Sequence, residues 1–302
     1  MIAKLMGGLG NQLFIYAFAR QLQSDYGGII KLIEPDKFPL SINNYRINKN
    51  IILKGNRFKD LNYLNFNQKI IYSNYKLMSK YYQIKRRCDF DEYEDMNQSF
   101  FNKHNMILRV NGYCDFEVKD INQLFLCGFF QSENYFPNIK DTLLDELVPT
   151  DQIDSKAIEL IKRIAESNSV CVHIRRGDYL NNPVYSVCDE VYYNTAIMQM
   201  RKVLDKPVFF LFSNDKKWLQ SHFFGDDYFI VQDDELKDYE TLQIMKACNH
   251  FIIANSSFSW WAQYLSDFPK KVVIAPSKWY AKGFNYPCDI YQKSWKLVNI
   301  NW

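Results

Sequence analysis

The stretch from Val170 to Asp178 joins an apolar run to the basic residues His173, Arg175 and Arg176. Such a run predicts a buried strand with cations at its carboxyl end, where they could bind a phosphate group. Side chains alternate between the two faces of a strand, so Arg175 and Arg176 must point to opposite faces. We therefore expect one arginine to face a ligand and the other to pack against the protein.

Two further groups of short polar side chains follow apolar runs. Ser213-Asn-Asp215 follows the run from Val208 to Phe212, and Asn255-Ser-Ser-Phe-Ser259 follows the run from Phe251 to Ala254. In a parallel sheet the carboxyl ends of the strands lie at one edge, where α/β proteins bind their ligands. The sequence therefore predicts that these groups meet Arg175 at a common site.

The serine-rich group has two interpretations. It precedes the helix that begins near Trp260, and the N–H groups and hydroxyls at a helix N-terminus favour an anion. Alternatively, Asn255 or one of the serines simply caps the helix. Pairing with Arg175 favours the anion site. For Trp260 and Trp261 we expect core packing rather than sugar stacking; adjacent side chains on a helix diverge by about 100°, so at most one of the two could face a ligand.

Alternating strands and helices predict the α/β class, with a parallel sheet and helices on both faces. The N-terminal half begins with a strand at 2–6, a helix at 13–23 and a strand at 29–33, and only short helices are expected from 43 to 134. In the C-terminal half the predicted strands are 170–174, 208–212, 229–231, 251–254 and 272–275, and the predicted helices are 155–166, 192–204 and 239–248, the last with Asp238 as a possible N-cap. A polar stretch between Pro137 and Pro149 places the domain boundary near residue 150, giving domains 1–150 and 151–302.

The amino-acid composition excludes several classes of function. The 302 residues are 47% hydrophobic and 17% aromatic, enough for two sizeable cores. A net charge of +3 argues against wrapping of nucleic acid, and seven cysteines without a Cys-x-x-Cys pair indicate neither a disulfide framework nor a zinc cluster. Because the sequence shows no secretion signal or membrane span, we expect a cytoplasmic protein.

Two motifs point to other chemistry. Gly8-x-Gly10 follows a strand and opens a helix, as in a dinucleotide-dependent oxidoreductase, but Leu13 takes the place of the third glycine. Asp89-Phe-Asp91 has the form of a metal-binding carboxylate pair, yet it lies in an acidic run that predicts a solvated charge patch. Arginine side chains can neutralise a pyrophosphate without a metal ion, so we expect no metal.

The segment from Lys69 to Arg87 contains six Lys and Arg residues among tyrosines and no acidic residue. It predicts either a solvated helix face or a surface for anionic lipid or a lipid-linked substrate, at the inner face of the plasma membrane. The solvated face is the ordinary case for a charge run of this kind.

Taken in chain order, the motifs resemble those of the bacterial and animal α1,2-fucosyltransferases, inverting enzymes that use GDP-fucose. The resemblance rests on motifs spread over the chain: Gly8-Leu-Gly-Asn-Gln-Leu-Phe14, Gly128-Phe-Phe-Gln-Ser132, His173-Ile-Arg-Arg-Gly-Asp-Tyr179, Phe212-Ser-Asn-Asp215 with Trp218, Tyr239-Glu240, Asn255-Ser-Ser-Phe-Ser-Trp-Trp261, and Ala275-Pro276 with Trp279. It implies the GT-B type of fold, in which two Rossmann-like domains face each other across a cleft. The first domain would be the acceptor side, and the second would bind GDP-fucose.

By position, the resemblance implies that Arg175 binds the β-phosphate of GDP, that His173 lies against the nucleotide and that Glu240 recognises the guanine. Asp178 and His173 are the candidates for the base that removes the acceptor proton, although Asp178 could instead anchor Arg176. The full set of candidate substrate-binding residues is Gly10, Asn11, Gln12, Arg175, Arg176, Ser213, Asp215, Glu240, Asn255, Ser256, Ser257, Phe258 and Ser259.

The implied reaction moves L-fucose from GDP-β-L-fucose to the 2-hydroxyl of a terminal galactoside and forms an α1,2 linkage. The implied partners are GDP-fucose and a galactose-terminated oligosaccharide or lipid-linked glycan of a surface polysaccharide, with no cofactor and no metal. Two other classes stay open on the sequence: a Rossmann oxidoreductase built on Gly8-x-Gly10, and a non-catalytic glycan-binding module with an inert anion site.

Overall fold

A computed structural model of the protein describes residues 1–47, 63–84, 90–232 and 234–301, together with the backbone of 51–54. The chain divides into two compact units, Met1–Val148 with Asn285–Tyr291, and Pro149–Phe284 with Gln292–Trp302. The expected boundary near residue 150 lies beside the first crossing point. The return of residues 285–291 to the first unit had no signal in the sequence.

The first unit contains a five-stranded parallel sheet in the order β3-β2-β1-β5-β4. Its elements are β1 (Ile2–Lys4), α1 (Leu9–Tyr26), β2 (Ile30–Ile33), a 3₁₀ turn (Ser41–Asn44), β3 (Ile51–Lys54), α2 (Phe66–Ile84), α3 (Phe90–Lys103), β4 (Met106–Arg109), β5 (Phe125–Gly128), a 3₁₀ turn (Glu133–Tyr135) and α4 (Lys140–Glu146).

The prediction of only short helices between residues 43 and 134 is wrong, because α2 has 19 residues and α3 has 14. The buried residues of α2 are Gln68, Ile71, Tyr72 and Tyr75, which follow the helical period. Glutamine and tyrosine occupy core positions there, so a pattern based on aliphatic residues did not show the helix.

The second unit contains a six-stranded parallel sheet in the order β11-β10-β9-β6-β7-β8. Its elements are α5 (Ser155–Ala165), β6 (Ser169–Ile174), α6 (Gly177–Leu180), α7 (Glu190–Val203), β7 (Val208–Ser213), α8 (Lys216–His222), β8 (Tyr228–Ile230), α9 (Asp238–Lys246), β9 (His250–Ile252), α10 (Ser257–Leu265), β10 (Val273–Pro276) and β11 (Lys296–Val298). Each strand and helix predicted for this half is present, and the α/β class with parallel sheets is confirmed.

The core of the second unit accounts for the apolar strand residues and the tryptophan pair in its sequence. β6 is buried along its whole length, as expected for a central parallel strand covered on both faces. Trp260 and Trp261 have no exposed surface and lie 5.1 Å apart between ring centroids, so the prediction that they serve core packing is confirmed. Among the helices of the described ranges, none combines the length and apolarity needed to cross a bilayer.

Candidate active site

The strand order of the second unit reverses between β6 and β9. From β6 the chain adds β7 and β8 on one side of the sheet, and then β9, β10 and β11 on the other. A crevice opens beyond the carboxyl ends of the strands at such a point, and doubly wound sheets bind their ligands there. The segments after Ile174 and after Ile252 therefore lie at the ligand-binding edge, as predicted from the sequence.

The two arginines after β6 have different surroundings. The side chain of Arg175 is 37% exposed, and its Nη2 atom lies 2.9 Å from Asp178 Oδ1. Arg176 Nε donates to Asp215 Oδ2 at 3.1 Å, and its guanidinium lies 4.2 Å from the ring centroid of Trp218. Arg176 is thus held by the protein while Arg175 stays open, as the alternation predicts. The interpretation that Asp178 anchors Arg176 is wrong, because Asp215 has that role.

The polar group after β7 supports this arrangement from within the fold. Ser213 Oγ accepts from the backbone N–H of Asp215, and Asp215 accepts from the backbone N–H of Trp218 at the start of α8. That N–H and the Arg176 guanidinium lower the pKa of Asp215. Asn214 comes so near the backbone of Gly177 that a Cβ atom there would lie 2.2 Å from Asn214 Nδ2, which explains the glycine. Ser213 and Asp215, predicted to bind substrate, therefore hold the loop that carries the arginines.

His173 is buried on the same face of β6 as Arg175. Within the part of the chain that the structure describes, its Nδ1 atom has no hydrogen-bond partner, and its ring lies 6.0 Å from that of Phe258 between centroids. Burial and then the charge of Arg175 lower the pKa of His173 to about 3. The imidazole is therefore neutral at pH 7, and it is a weak base for removing a proton from a substrate hydroxyl.

The serine-rich loop joins β9 to the N-terminus of α10. Ser256 caps the helix, since its Oγ accepts from Phe258 N at 3.3 Å. Asn255 donates its side-chain amide to two carbonyls of its own unit, and Ser259, fully buried, donates its hydroxyl to the carbonyl of Ser256 at 3.2 Å. These groups are used by the fold, contrary to the predicted ligand roles of Asn255 and Ser259. Ser257 and Phe258 are partly exposed and remain the accessible members of the loop.

Glu240 is also occupied by the protein. Its Oε2 atom accepts from the backbone N–H of Lys237 at 3.0 Å, and its Oε1 atom accepts from that of Asp154 at 2.9 Å. Glu240 is 6% exposed, so this carboxylate accepts from backbone N–H groups, one of them at the start of α9, rather than facing a guanine.

Asp238, the first residue of α9, presents a carboxylate that the sequence did not assign to the site. The cap of α9 is Lys237, so Asp238 is not the N-cap that was predicted. Its side chain is reachable from solvent. The surrounding protein raises the pKa of Asp238, and the charge of Arg175 opposes that rise. An acidic residue in the first turn of a predicted helix was the only available signal.

In the first unit, the glycine turn lies between β1 and α1. Gln12 is fully buried; it donates to Gly7 O at 3.0 Å and Pro39 O at 2.8 Å and accepts from Ser41 N at 3.1 Å. This side chain holds the turn, contrary to its predicted role in facing a ligand. Gly10 is buried within the first turn of the helix.

Asn11 is the accessible residue of the three predicted in this turn. It is partly exposed, and its Oδ1 atom accepts from Gln131 Nε2 at 2.7 Å. Gln131 follows β5, which neighbours β1, so the pair lies where the strand order of the first sheet also reverses.

The acidic run is a solvated patch only in part, since Glu92 and Asp95 are exposed but other members are buried. Asp91 and Glu94 are 6% and 0% exposed, and Asp89 lies outside the described residues. Glu94 accepts from Tyr75 Oη at 2.7 Å and from Val110 N at 3.1 Å, and burial raises its pKa to about 8. Across the described ranges, no three His, Cys, Asp or Glu side chains come together in a way that could hold a metal ion.

The chain has two parallel α/β units. One of them has the strand order of a doubly wound nucleotide-binding sheet, with an accessible arginine at its reversal point, which indicates a nucleotide-binding α/β protein. The chain belongs to glycosyltransferase family 11, whose profile matches residues 2–299. That membership decides for an enzyme and against the oxidoreductase and the glycan-binding module.

Three relatives illustrate the range of the family. The chain is 30% identical to an α-1,2-colitosyltransferase of Escherichia coli, covering 99% of this chain and 98% of the relative. It is 27% identical to the O-antigen biosynthesis glycosyltransferase WbnK of Escherichia coli, covering 93% and 95%. It is also 27% identical to galactoside α-(1,2)-fucosyltransferase 1 of Saimiri boliviensis boliviensis, covering 53% and 48%.

Proposed function

We propose that this enzyme transfers L-fucose from GDP-β-L-fucose to the 2-hydroxyl of a terminal galactoside, with inversion at C1 to give an α1,2 linkage. The observation that carries the proposal is the open guanidinium of Arg175 at the strand reversal that also holds the N-terminus of α10. The family supports the reaction class, and the sequence motifs support the donor.

The main chemical task is to stabilise the departing diphosphate. Cleavage of the bond between C1 and the phosphate oxygen leaves its electron pair on GDP, so negative charge grows on the β-phosphate. Arg175 meets that charge with a donor that is already oriented by Asp178. The dipole of α10 and the accessible Ser257 favour the same anion.

The acceptor hydroxyl attacks C1 from the face opposite the leaving group, and it must lose its proton to a base. His173 is a weak base, because its pKa is about 3. We assign the role to Asp178, a 60% exposed carboxylate beside Arg175. Asp238 is a second carboxylate whose charge interacts with that arginine. Replacing each aspartate in turn distinguishes the two candidate bases.

We further propose that the reaction needs no metal and no cofactor. The guanidinium of Arg175 and the N–H groups of α10 supply the charge that a divalent cation supplies elsewhere. Activity in excess EDTA tests this. We expect full turnover, and loss of turnover that manganese restores would overturn it.

A second donor deserves a direct comparison because of the 30% identity to an α-1,2-colitosyltransferase. Colitose is fucose without its 3-hydroxyl, so a site that hydrogen-bonds this hydroxyl discriminates strongly between the two sugars. Purified enzyme would be given GDP-fucose, GDP-colitose and GDP-mannose with a panel of galactosides, and the linkage determined by NMR. We expect the highest kcat/KM with GDP-fucose; preference for GDP-colitose would change the donor, and transfer from none would reject the proposal.

For the acceptor, we propose a galactose-terminated repeat unit of a surface polysaccharide, free or on a lipid carrier. The relative named for O-antigen biosynthesis supports this choice. Acceptors that differ only in the sugar beneath the galactose would identify it, through differences in KM at constant donor.

A further inference from the structure

Helix α2 has two apolar faces. The inner face packs Ile71, Tyr72 and Tyr75 into the core of the first unit. The outer face carries large apolar side chains that are 43% to 76% exposed: Phe66, Ile70, Leu77, Tyr81 and Ile84. An ordinary surface helix carries polar residues on the face opposite its core, so this second face requires an explanation.

The exposed apolar residues form one continuous stripe. Successive members are separated by four, seven, four and three residues. At about 100° per residue, all five lie within about 60° of one another around the helix axis, opposite the buried face. The stripe runs from the first to the last residue of the helix, a length of about 27 Å.

A row of lysines flanks the stripe on one side. Lys69, Lys76 and Lys80 are separated by seven and four residues, which places them on one line about 80° from the stripe. Lys80 follows Leu77 by three residues and precedes Ile84 by four, so it neighbours both on the helix surface. The sequence from 66 to 84 contains no acidic residue that would neutralise these charges.

We propose that α2 binds flat to the surface of a bilayer that contains acidic phospholipid. The apolar stripe would enter the boundary between headgroups and acyl chains, and the lysines would extend their amines to the lipid phosphates. The charge pattern favours this occupant over a second copy of the chain. In a symmetric contact the two lysine rows would approach each other, with no carboxylate on the helix to pair with them.

Vesicle flotation tests the proposal without any donor or acceptor, so its outcome is independent of the proposed reaction. The full chain would be mixed with vesicles of phosphatidylcholine, alone or with phosphatidylglycerol. We expect it to float with the mixed vesicles only. Three variants are compared: Lys69→Gln with Lys76→Gln and Lys80→Gln, Leu77→Asn with Ile84→Asn, and a matched control with Lys202→Gln, Lys217→Gln and Lys270→Gln, three exposed lysines of the second unit.

The lysine variant of α2 should lose about 100-fold in partition coefficient, since each lysine near an acidic surface contributes about fivefold. The Leu77 and Ile84 variant should lose at least about tenfold. Both should keep the wild-type circular dichroism, because the replaced side chains are accessible to solvent. The control should bind like the wild type.

Several results would overturn the proposal. They are failure of the wild type to float, equal binding to both vesicles, and a control variant as weak as the α2 variant. A fourth is a wild-type dimer that the Leu77 and Ile84 substitutions convert to a monomer without any effect on vesicles, which would make this face a self-interface.

Discussion

Arg175 and Asp178 form an ion pair that leaves both partners accessible. Nη2 of the arginine lies 2.9 Å from Oδ1 of the aspartate, with side chains 37% and 60% exposed. An exposed pair of this kind contributes little to folding stability. Its consequence is orientation, because it directs a cation at the open edge of the sheet while the neighbouring Arg176 is held by Asp215.

Arg175→Ala should lower kcat by about 100-fold to 1000-fold, the usual effect of removing one donor that stabilises developing negative charge. The side chain is partly exposed, so the melting temperature should hardly change. Steady-state kinetics with GDP-fucose measure the effect. Near-normal turnover in a folded variant would remove Arg175 from the leaving-group role.

Arg176→Ala is the matched control and should act mainly on stability. It removes the hydrogen bond to Asp215 and the contact with the Trp218 ring, and we expect a loss of about 2 kcal/mol in the free energy of unfolding. Urea titration measures this loss. An unchanged midpoint with abolished turnover would show that the roles of the two arginines are reversed.

Asp178→Asn should lower kcat by about 100-fold or more, because the group proposed to take the acceptor proton would be gone. An amide also orients Arg175 less strongly than a carboxylate does. Asp238→Asn is the comparison and should keep a kcat near that of the wild type. If the two variants exchange these behaviours, the base is Asp238.

Ser257→Ala should raise the KM for the donor by about fivefold, the effect of one neutral hydrogen bond, and should leave stability unchanged. Ser259→Ala should leave the KM unchanged and lower the melting temperature, because its hydroxyl is buried and donates to the carbonyl of Ser256. Comparing KM and melting temperature in the pair separates a ligand contact from a fold contact. Equal KM values in the two variants would exclude Ser257 from the donor site.

The pKa of Glu94, raised by burial from 4.5 to about 8, makes stability depend on pH. The folded state holds this proton more tightly than the unfolded chain, so the contribution is complete below about pH 4.5 and is lost as the pH rises to about 8. Glu94→Gln should remove that dependence, so that the wild type loses about 3 to 4 kcal/mol more than the variant between pH 5 and pH 8.

Urea unfolding at the two pH values measures the difference. The lowered pKa of His173 acts in the other direction below pH 6.5, but it is present in both proteins and cancels in the comparison. Parallel pH profiles for wild type and variant would show that Glu94 titrates normally.

Much of the arrangement at the carboxyl ends of the strands in the second unit could be predicted from the local sequence pattern. Alternation along one strand was sufficient to separate the surroundings of Arg175 and Arg176, because the period of a strand is two wherever it packs. The polar residues within the motifs were harder to assign. Glu240, Gln12 and Ser259 have the side chains of ligand-binding residues, and they use them on backbone groups instead.

Strands β6 to β10, helices α5, α7, α9 and α10, and the basic end of β6 were determined by the sequence alone, because periodicity and turn residues act over short distances. Tertiary structure decided which polar side chains remained accessible. Glu240 meets Asp154 across 86 residues, and Gln12 meets Pro39 across 27. Partners that distant are brought together by the packing of the sheets, which no local pattern encodes, and the side chains that this packing leaves accessible form the candidate site.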